Sequence, residues 1–226
     1  RDGVMTATQH ETRLLQAVDR TVRWLERCHQ SHKRPDDQAL FGIVQGGTDL
    51  DLRERSAEQV CNVELPGYAI GGVAVGESPE KIEEIVKFTA NLLPEEKPRY
   101  LMGVGYERDL VAAVASGMDM FDCVLPTRNG RNGHAFTRNG QIHLRNACFK
   151  GDKGVIEEGC LCTTCSNGFS RAYLRHLYMS KEMLGGILVS VHNIHHFQSL
   201  MIDIRHSIED NSWSALPNRW PVLNTP

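Results

Sequence analysis

Four short apolar runs, each stopping at a glycine or a polar residue and each separated from the next by a helix-length amphipathic segment, constrain this chain most. They are residues 40–44, ending in Gln45-Gly46-Gly47; 68–70, ending in Gly71-Gly72; 100–104, interrupted by Gly103; and 118–124, carrying Asp122. Runs this short that end at turn residues read as buried strands. Helices are expected over 52–61, from Ser78-Pro79-Glu80 through Leu93, and over 107–116, closed by Gly117. Another, over 11–29, precedes the first strand, with Leu14, Val18, Val22 and Leu25 on one stripe. Strands spaced by roughly thirty residues with one helix in each gap are βαβ units, so the class is α/β with a parallel sheet. Such a sheet gathers its chemistry at the C-terminal strand ends, where Gln45, Gly72, Gly103 and Asp122 would converge.

A (β/α)8 barrel needs eight strands and about 250 residues. These 226 residues supply four strands before the texture changes near Pro126; read as the C-terminal half of a TIM-type barrel, residues 1–126 would lack the other half, and length alone would favour a small open sheet instead. Arg1, rather than Met, stands directly before a helix, as in a piece lacking its N-terminal half; a small open α/β sheet, complete in itself, is the alternative. Beyond Pro126 a hairpin is predicted, with 134–137 and 141–144 flanking Asn139-Gly140, a dipeptide suited to a type I′ turn. It would open an inserted zinc-binding subdomain over 127–192. A final helix from about His192 carries Ile194, Phe197, Met201, Ile204 and Ile208 at helical spacing, and residues 193–226 are expected to pack on the barrel. From Trp213 onward no periodicity is visible.

Seven cysteines, an odd number of which Cys28, Cys61, Cys123 and Cys148 are scattered, do not resemble a secreted disulfide framework. No signal peptide opens the chain and no apolar stretch is long enough for a bilayer, so a cytoplasmic protein without membrane contact is expected. The remaining three, Cys160, Cys162 and Cys165, lie within six residues of a glycine-bounded loop. Three thiolates and one imidazole make a closed tetrahedral zinc site, structural because no position is left for water. His176, His192, His195 and His196 are candidates for the fourth ligand; His192 is preferred because it would pin the start of the last helix to the loop. Unliganded, such clustered thiols would invite oxidation.

The formal net charge of −3 gives no hint of a nucleic-acid partner, but it hides an asymmetry. Residues 127–176 hold eight basic side chains against three acidic ones, a local +5 that could face phosphates.

The segment 118–133, Met-Asp-Met-Phe-Asp-Cys-Val-Leu-Pro-Thr-Arg-Asn-Gly-Arg-Asn-Gly, closely resembles the signature of the tRNA-guanine transglycosylases. So do residues 41–47, 67–77, 100–105 and the zinc segment 160–192, in the family's order; the resemblance runs from about Val4 to Ile208. It implies that Asp122 is the nucleophile attacking C1′ of the wobble guanosine, forming a covalent ribosyl-enzyme that the incoming base displaces with net retention. Asp119 is the rival acid, expected on the opposite strand face and so structural. The resemblance further implies a base pocket. In it Gln45 and the backbone of Gly71 and Gly72 read the purine-like edge, the Val73-Ala74 peptide contacts the deazaguanine substituent, Glu77 bonds that peptide, and Met102 and Gly103 pack on the ring. Val75 matches the bacterial pattern and favours preQ1 (7-aminomethyl-7-deazaguanine) over the bulkier queuine. Arg128 and Arg131 match residues that contact the tRNA anticodon loop, and the target guanosine must leave its stack. Relatives are homodimers, so a homodimer is expected here.

The family's second aspartate, its general acid/base, has no counterpart in this sequence, so this polypeptide alone is expected to be inactive. One residue more than usual separates the last cysteine from the histidine, an insertion placed near Gly168. A non-catalytic accessory subunit keeping the zinc unit is the main alternative, against which Asp122 and Gln45 speak. An archaeosine-type enzyme is a second, normally followed by RNA-binding domains.

Overall fold

The structure, a computed structural model, describes residues 7–224, with side chains from residue 11 onward. Two compact units emerge, one of residues 1–105 and 109–123, the other of 106–108 and 124–226. Among the described residues no helix is long and apolar enough to cross a membrane.

The first unit holds a four-stranded parallel sheet, β1 (Phe41–Val44), β2 (Gly67–Ile70), β3 (Arg99–Leu101) and β4 (Met120–Phe121), in the order β1-β2-β3-β4. Helix α1 (Ala7–Ser31) precedes it; α2 (Leu50–Cys61), α3 (Pro79–Ala90) and α4 (Glu107–Ala115) fill the three gaps. The α/β class with a parallel sheet is as the sequence predicts. Caps set the helix starts: Asp49 accepts from the Leu52 amide and Ser78 from the Lys81 amide, with Pro79 in the first turn. One sheet face is packed by helices. A Cβ on Gly42 would meet Val60 of α2 at 2.7 Å and Leu25 of α1 at 3.5 Å, so only glycine lets them close on β1. The core there is built from Val44, Val60, Ile70, Ile85, Val86 and Leu101.

The second unit begins with α5 (Leu125–Asn132), then a hairpin of β5 (His134–Thr137) and β6 (Gly140–His143), a 3-10 turn at Ala147–Gly151, and α6 (Thr163–Ser166). It continues with α7 (Arg171–Met179), α8 (Met183–Glu209) and a tail of short turns around α9 (Leu216–Arg219). Its core joins Ala135, Leu144, Ile156, Leu174, Leu177 and Val189.

Several expectations need correction. The segment after Asp122 is helical: Pro126 occupies the first turn of α5, where its missing N–H costs nothing, and Gly133 closes the helix at φ 86°. A two-residue strand replaces the seven-residue run at 118–124. The hairpin turn is centred on Arg138-Asn139, with Gly140 at φ 115° already in β6; Asn139 is not left-handed, so this is not a type I′ turn. Helix α8 starts at Met183, well before His192, and carries Gly185 and Gly186 in its first turn. A Cβ on Gly185 would meet Leu177 at 3.1 Å and one on Gly186 the Arg131 Cα at 3.4 Å. Residues 192 and 193 both lie within this helix, and the tail beyond Trp213 is helical in turns.

Candidate functional site

Strand register brings four predicted residues level. Val44 pairs with Ile70, Ile70 with Leu101, and Leu101 with Phe121. The next residue on each strand is Gln45, Gly71, Met102 and Asp122, one rank across the sheet's C-terminal edge. Residues of one rank in a parallel sheet point to one face. Here it is the face opposite Gly42, Val44 and Leu101, hence the one away from the helices packed on β1.

At the β1 and β2 ends the Gln45 side chain lies on the backbone of Gly71 and Gly72. A Cβ on Gly71 would stand 2.9 Å from Gln45 Nε2, and one on Gly72 2.5 Å from Gln45 Oε1. Gly72 also has φ 67°, which any other L residue would strain to adopt. The Gln45 backbone N–H donates to Ser56 Oγ at 3.0 Å. Beneath these ends sits Arg53, which is fully buried. It donates to the carbonyls of Gly47 (2.9 and 2.8 Å), Val44 (3.2 Å), Gly71 (2.8 Å) and Gly72 (3.2 Å). Burial depresses its pKa to about 10, with the Glu77 charge opposing. Sequence reading missed Arg53, although an arginine on the same helical stripe as the buried Ser56, Ala57 and Val60 was a visible signal.

Glu77 accepts from the Val75 amide at 2.8 Å, so it holds the Ala74-Val75 peptide, one along from the peptide expected. Ala74 is left-handed at φ 61° and Val75 is largely exposed, whereas Val73 is buried.

At the β3 and β4 ends, Asp122 is exposed and its Oδ1 accepts from the Tyr100 hydroxyl at 2.6 Å and the Gly103 amide at 3.0 Å. Its other oxygen makes no hydrogen bond among the described residues. The Asp122 carboxylate pushes the Tyr100 phenol up to about 12, keeping it a donor. Tyr100 was also missed, since its partner lies 22 residues away on the neighbouring strand. Asp119 takes a structural place, accepting from the Arg99 amide at 2.8 Å.

A cavity of about 560 Å³ opens beside Gln45, Gly47, Gly72, Val75 and Glu77, walled by α1 residues including Trp24. Asp122, Met102 and Gly103 do not line it; they stand on the edge of the same rank, Asp122 and Gly103 exposed and Met102 half-buried.

In the second unit Cys160, Cys162, Cys165 and His192 form a group that could hold a metal ion, with ligand atoms all within 4.8 Å of one another. Cys162 caps α6, while His192 is carried in by α8 and is fully buried. His192 Nδ1 lies 3.6, 3.4 and 3.5 Å from the three sulfurs. Its Nε2 meets the Phe136 carbonyl at 2.7 Å, which fixes the proton there and leaves Nδ1 bare for a metal. Without a metal, the hydrogen bond with Cys165 holds the Cys162 thiol far down, at about 3, and drives the Cys165 thiol up. Burial opposes a charged His192, but the Cys160 and Cys162 sulfurs raise it to about 10. Of the rival histidines, His176 is exposed, His195 half-exposed, and His196 bonds Glu107 at 2.8 Å.

Arg128 and Arg131 are exposed on α5. Asn193 on α8 anchors that helix, donating to the Pro126 carbonyl at 2.9 Å, and the Tyr178 hydroxyl donates to Gly130. Arg131, Arg145 and Lys181 line a cavity of about 290 Å³.

A family model described as queuine tRNA-ribosyltransferase matches residues 1–221. A queuine tRNA-ribosyltransferase of Cyanothece sp. is 52% identical over 211 residues, 93% of this chain and 55% of that protein. Those of Synechococcus elongatus and Thermus thermophilus are 55% and 52% identical, over 85% and 87% of this chain and 50% and 51% of their own lengths. The chain thus spans about half the length of these relatives. With nearly every described residue inside the family match, the chain belongs to the queuine tRNA-ribosyltransferase family.

Proposed function

We propose that this chain is the catalytic C-terminal half of a tRNA-guanine transglycosylase that exchanges guanine at the anticodon wobble position for preQ1, a step of queuosine biosynthesis. The observation that carries this is the single rank Gln45, Gly71, Met102, Asp122, which sets a base-edge reader and a carboxylate on one face of one sheet edge. A consecutive, all-parallel strand order without reversal supports half of a (β/α)8 barrel over a doubly wound sheet.

Asp122 Oδ1 is held by two donors, so Oδ2 is the oxygen presented to the ribose. It bonds to C1′ as the C1′–N9 bond breaks and the electron pair leaves with guanine. The departing base takes its proton from a group outside this chain. N9 of preQ1, giving its proton to that same group outside this chain, then attacks C1′ and releases the carboxylate, so two inversions retain the configuration. Gln45, Gly71 and Gly72 read the base edge, Met102 and Gly103 contact its ring, and the 73–77 loop with Val73 and Glu77 meets the aminomethyl group. Arg128 and Arg131 grip the anticodon loop, a role supported by their exposure and the basic cavity beside Arg131.

The metal is proposed to be a structural zinc. Zn–S bonds of about 2.3 Å and a Zn–N bond of about 2.0–2.1 Å at tetrahedral angles put sulfur and nitrogen about 3.6 Å apart, and the observed separations are 3.4–3.6 Å. Zinc would brace α6 against α8 and takes no part in the chemistry. A cytoplasmic homodimer completes the reading.

The test is to trap the ribosyl-enzyme with substrate tRNA on the full-length protein. A covalent adduct that vanishes in Asp122→Asn is expected. No adduct with the native sequence, or one surviving Asp122→Asn, would assign the chain to a non-catalytic accessory subunit.

A further inference from the structure

Arg53 is an unusual thing to bury. It is fully enclosed, forms no ion pair among the described residues, and yet spends all five N–H groups on four backbone carbonyls. A buried cation without a carboxylate is costly, and a helix stripe facing a core ordinarily carries an apolar residue there. The four carbonyls are not scattered: Val44 ends β1 and Gly47 lies two residues past Gln45 in the turn that follows, while Gly71 and Gly72 follow β2. The guanidinium therefore ties together the two strand ends on which the Gln45 side chain rests.

The consequence lies on the other side of the peptide planes. In a trans peptide a carbonyl and the following N–H point in opposite directions. With the Gly71 and Gly72 carbonyls drawn onto Arg53, the amides of Gly72 and Val73 are aimed away from it. Neither amide donates a hydrogen bond among the described residues, although the Gly71 amide just before them is satisfied by Val44 at 3.0 Å. Two adjacent, unspent donors beside a primary amide form a receptor for a carbonyl oxygen flanked by an N–H, the pattern of the six-membered edge of guanine.

We propose that Arg53 is a positioning residue for base recognition, which by engaging the carbonyls of Val44, Gly47, Gly71 and Gly72 turns the Gly72 and Val73 amides outward as donors to the 6-oxo oxygen of the bound base. This rests on the transglycosylase reading. Lysine cannot replace the arginine, because a point charge with three donors does not span four carbonyls.

The experiment compares guanine with 6-thioguanine, which keeps the donors of guanine but offers a weakly accepting sulfur, in binding titrations on the full-length protein. The wild type is expected to prefer guanine by roughly 10- to 100-fold, the range for a buried donor left unpaired. In Arg53→Lys the preference should shrink to about threefold or less, through loss of guanine affinity, while affinity for tRNA is unchanged. A merely structural role would weaken both bases alike. Equal discrimination by Arg53→Lys and wild type overturns the assignment alone, whereas a wild type that binds neither base overturns the transglycosylase reading with it. Should Arg53→Lys not fold, amide spectra of the wild type decide: the Gly72 and Val73 resonances are expected to shift more with guanine than with 6-thioguanine, and equal shifts overturn the proposal.

Discussion

Replacing His192 with alanine removes two things at once, and their sizes can be set from the geometry. The first is one of four metal ligands, its Nδ1 within 3.6 Å of all three sulfurs. Structural zinc sites bind with an apparent 10–16 kcal/mol, so one ligand in four accounts for about 2.5–4 kcal/mol. That is roughly two to three decades in metal affinity. The second is the partner of the buried Phe136 carbonyl, whose loss costs about 1–3 kcal/mol in fold stability whether or not metal is bound. Competition against a chromogenic chelator reads the first loss, and thermal melting with and without chelator reads both. The expectation is a chelator midpoint at least 100-fold lower and a melting temperature reduced further than chelation alone reduces that of the wild type. His176→Ala, on an exposed residue, should change neither. Full metal retention by His192→Ala, or metal loss in His176→Ala, would refute the ligand assignment.

Other perturbations follow from single contacts. Gly72→Ala places a methyl group 2.5 Å from Gln45 Oε1 at a φ of 67°. It should cost about 1–2 kcal/mol in stability from the left-handed backbone alone and, by displacing Gln45, abolish detectable guanine binding in titration. Asp122→Asn replaces the carboxylate whose hydrogen bond, and secondarily its charge, raises Tyr100, so the ultraviolet titration of that phenol should fall from about 12 toward its ordinary value. The sign is fixed: a phenol raised in the fold favours the protonated folded state, present below the unfolded pKa and lost as pH climbs through 12. No downward shift would mean that the Tyr100–Asp122 bond is not made in solution.

Much of this arrangement is legible in the sequence, for reasons that differ by residue. Strand ends announce themselves because Gly46-Gly47 and Gly71-Gly72 stop apolar runs, and glycine there is demanded by positive φ and close approach. Pro126 misleads because proline marks a helix start as readily as a strand's end, and only the αL glycine at 133 distinguishes them. Gly185 and Gly186 lie where α8 approaches neighbouring segments, contacts that no spacing in the sequence announces. His192 joins the three sulfurs, though on grounds other than those first given, since it lies within α8 and not before it. The insertion placed near Gly168 leaves no irregularity in α8, and Gly168 itself sits in a turn at φ 73°.

What stays hidden is register and polarity across strands. Tyr100 and Asp122 meet only because Leu101 pairs with Phe121; a slip of one residue would turn Asp122 to the helix-packed face. The sheet itself supplies little to resist such a slip, with β4 reduced to two residues. Resistance comes instead from Asp119 and Asp122, which straddle β4 and bond the amides of Arg99, at the start of β3, and Gly103, just past its end. The two acids of the 118–133 signature thus divide their labour: the first locks the strand so that the second is presented at the edge. Their bonds to backbone amides of the neighbouring strand make register and chemistry one problem, which is why neither could be read from the spacing of the acids alone.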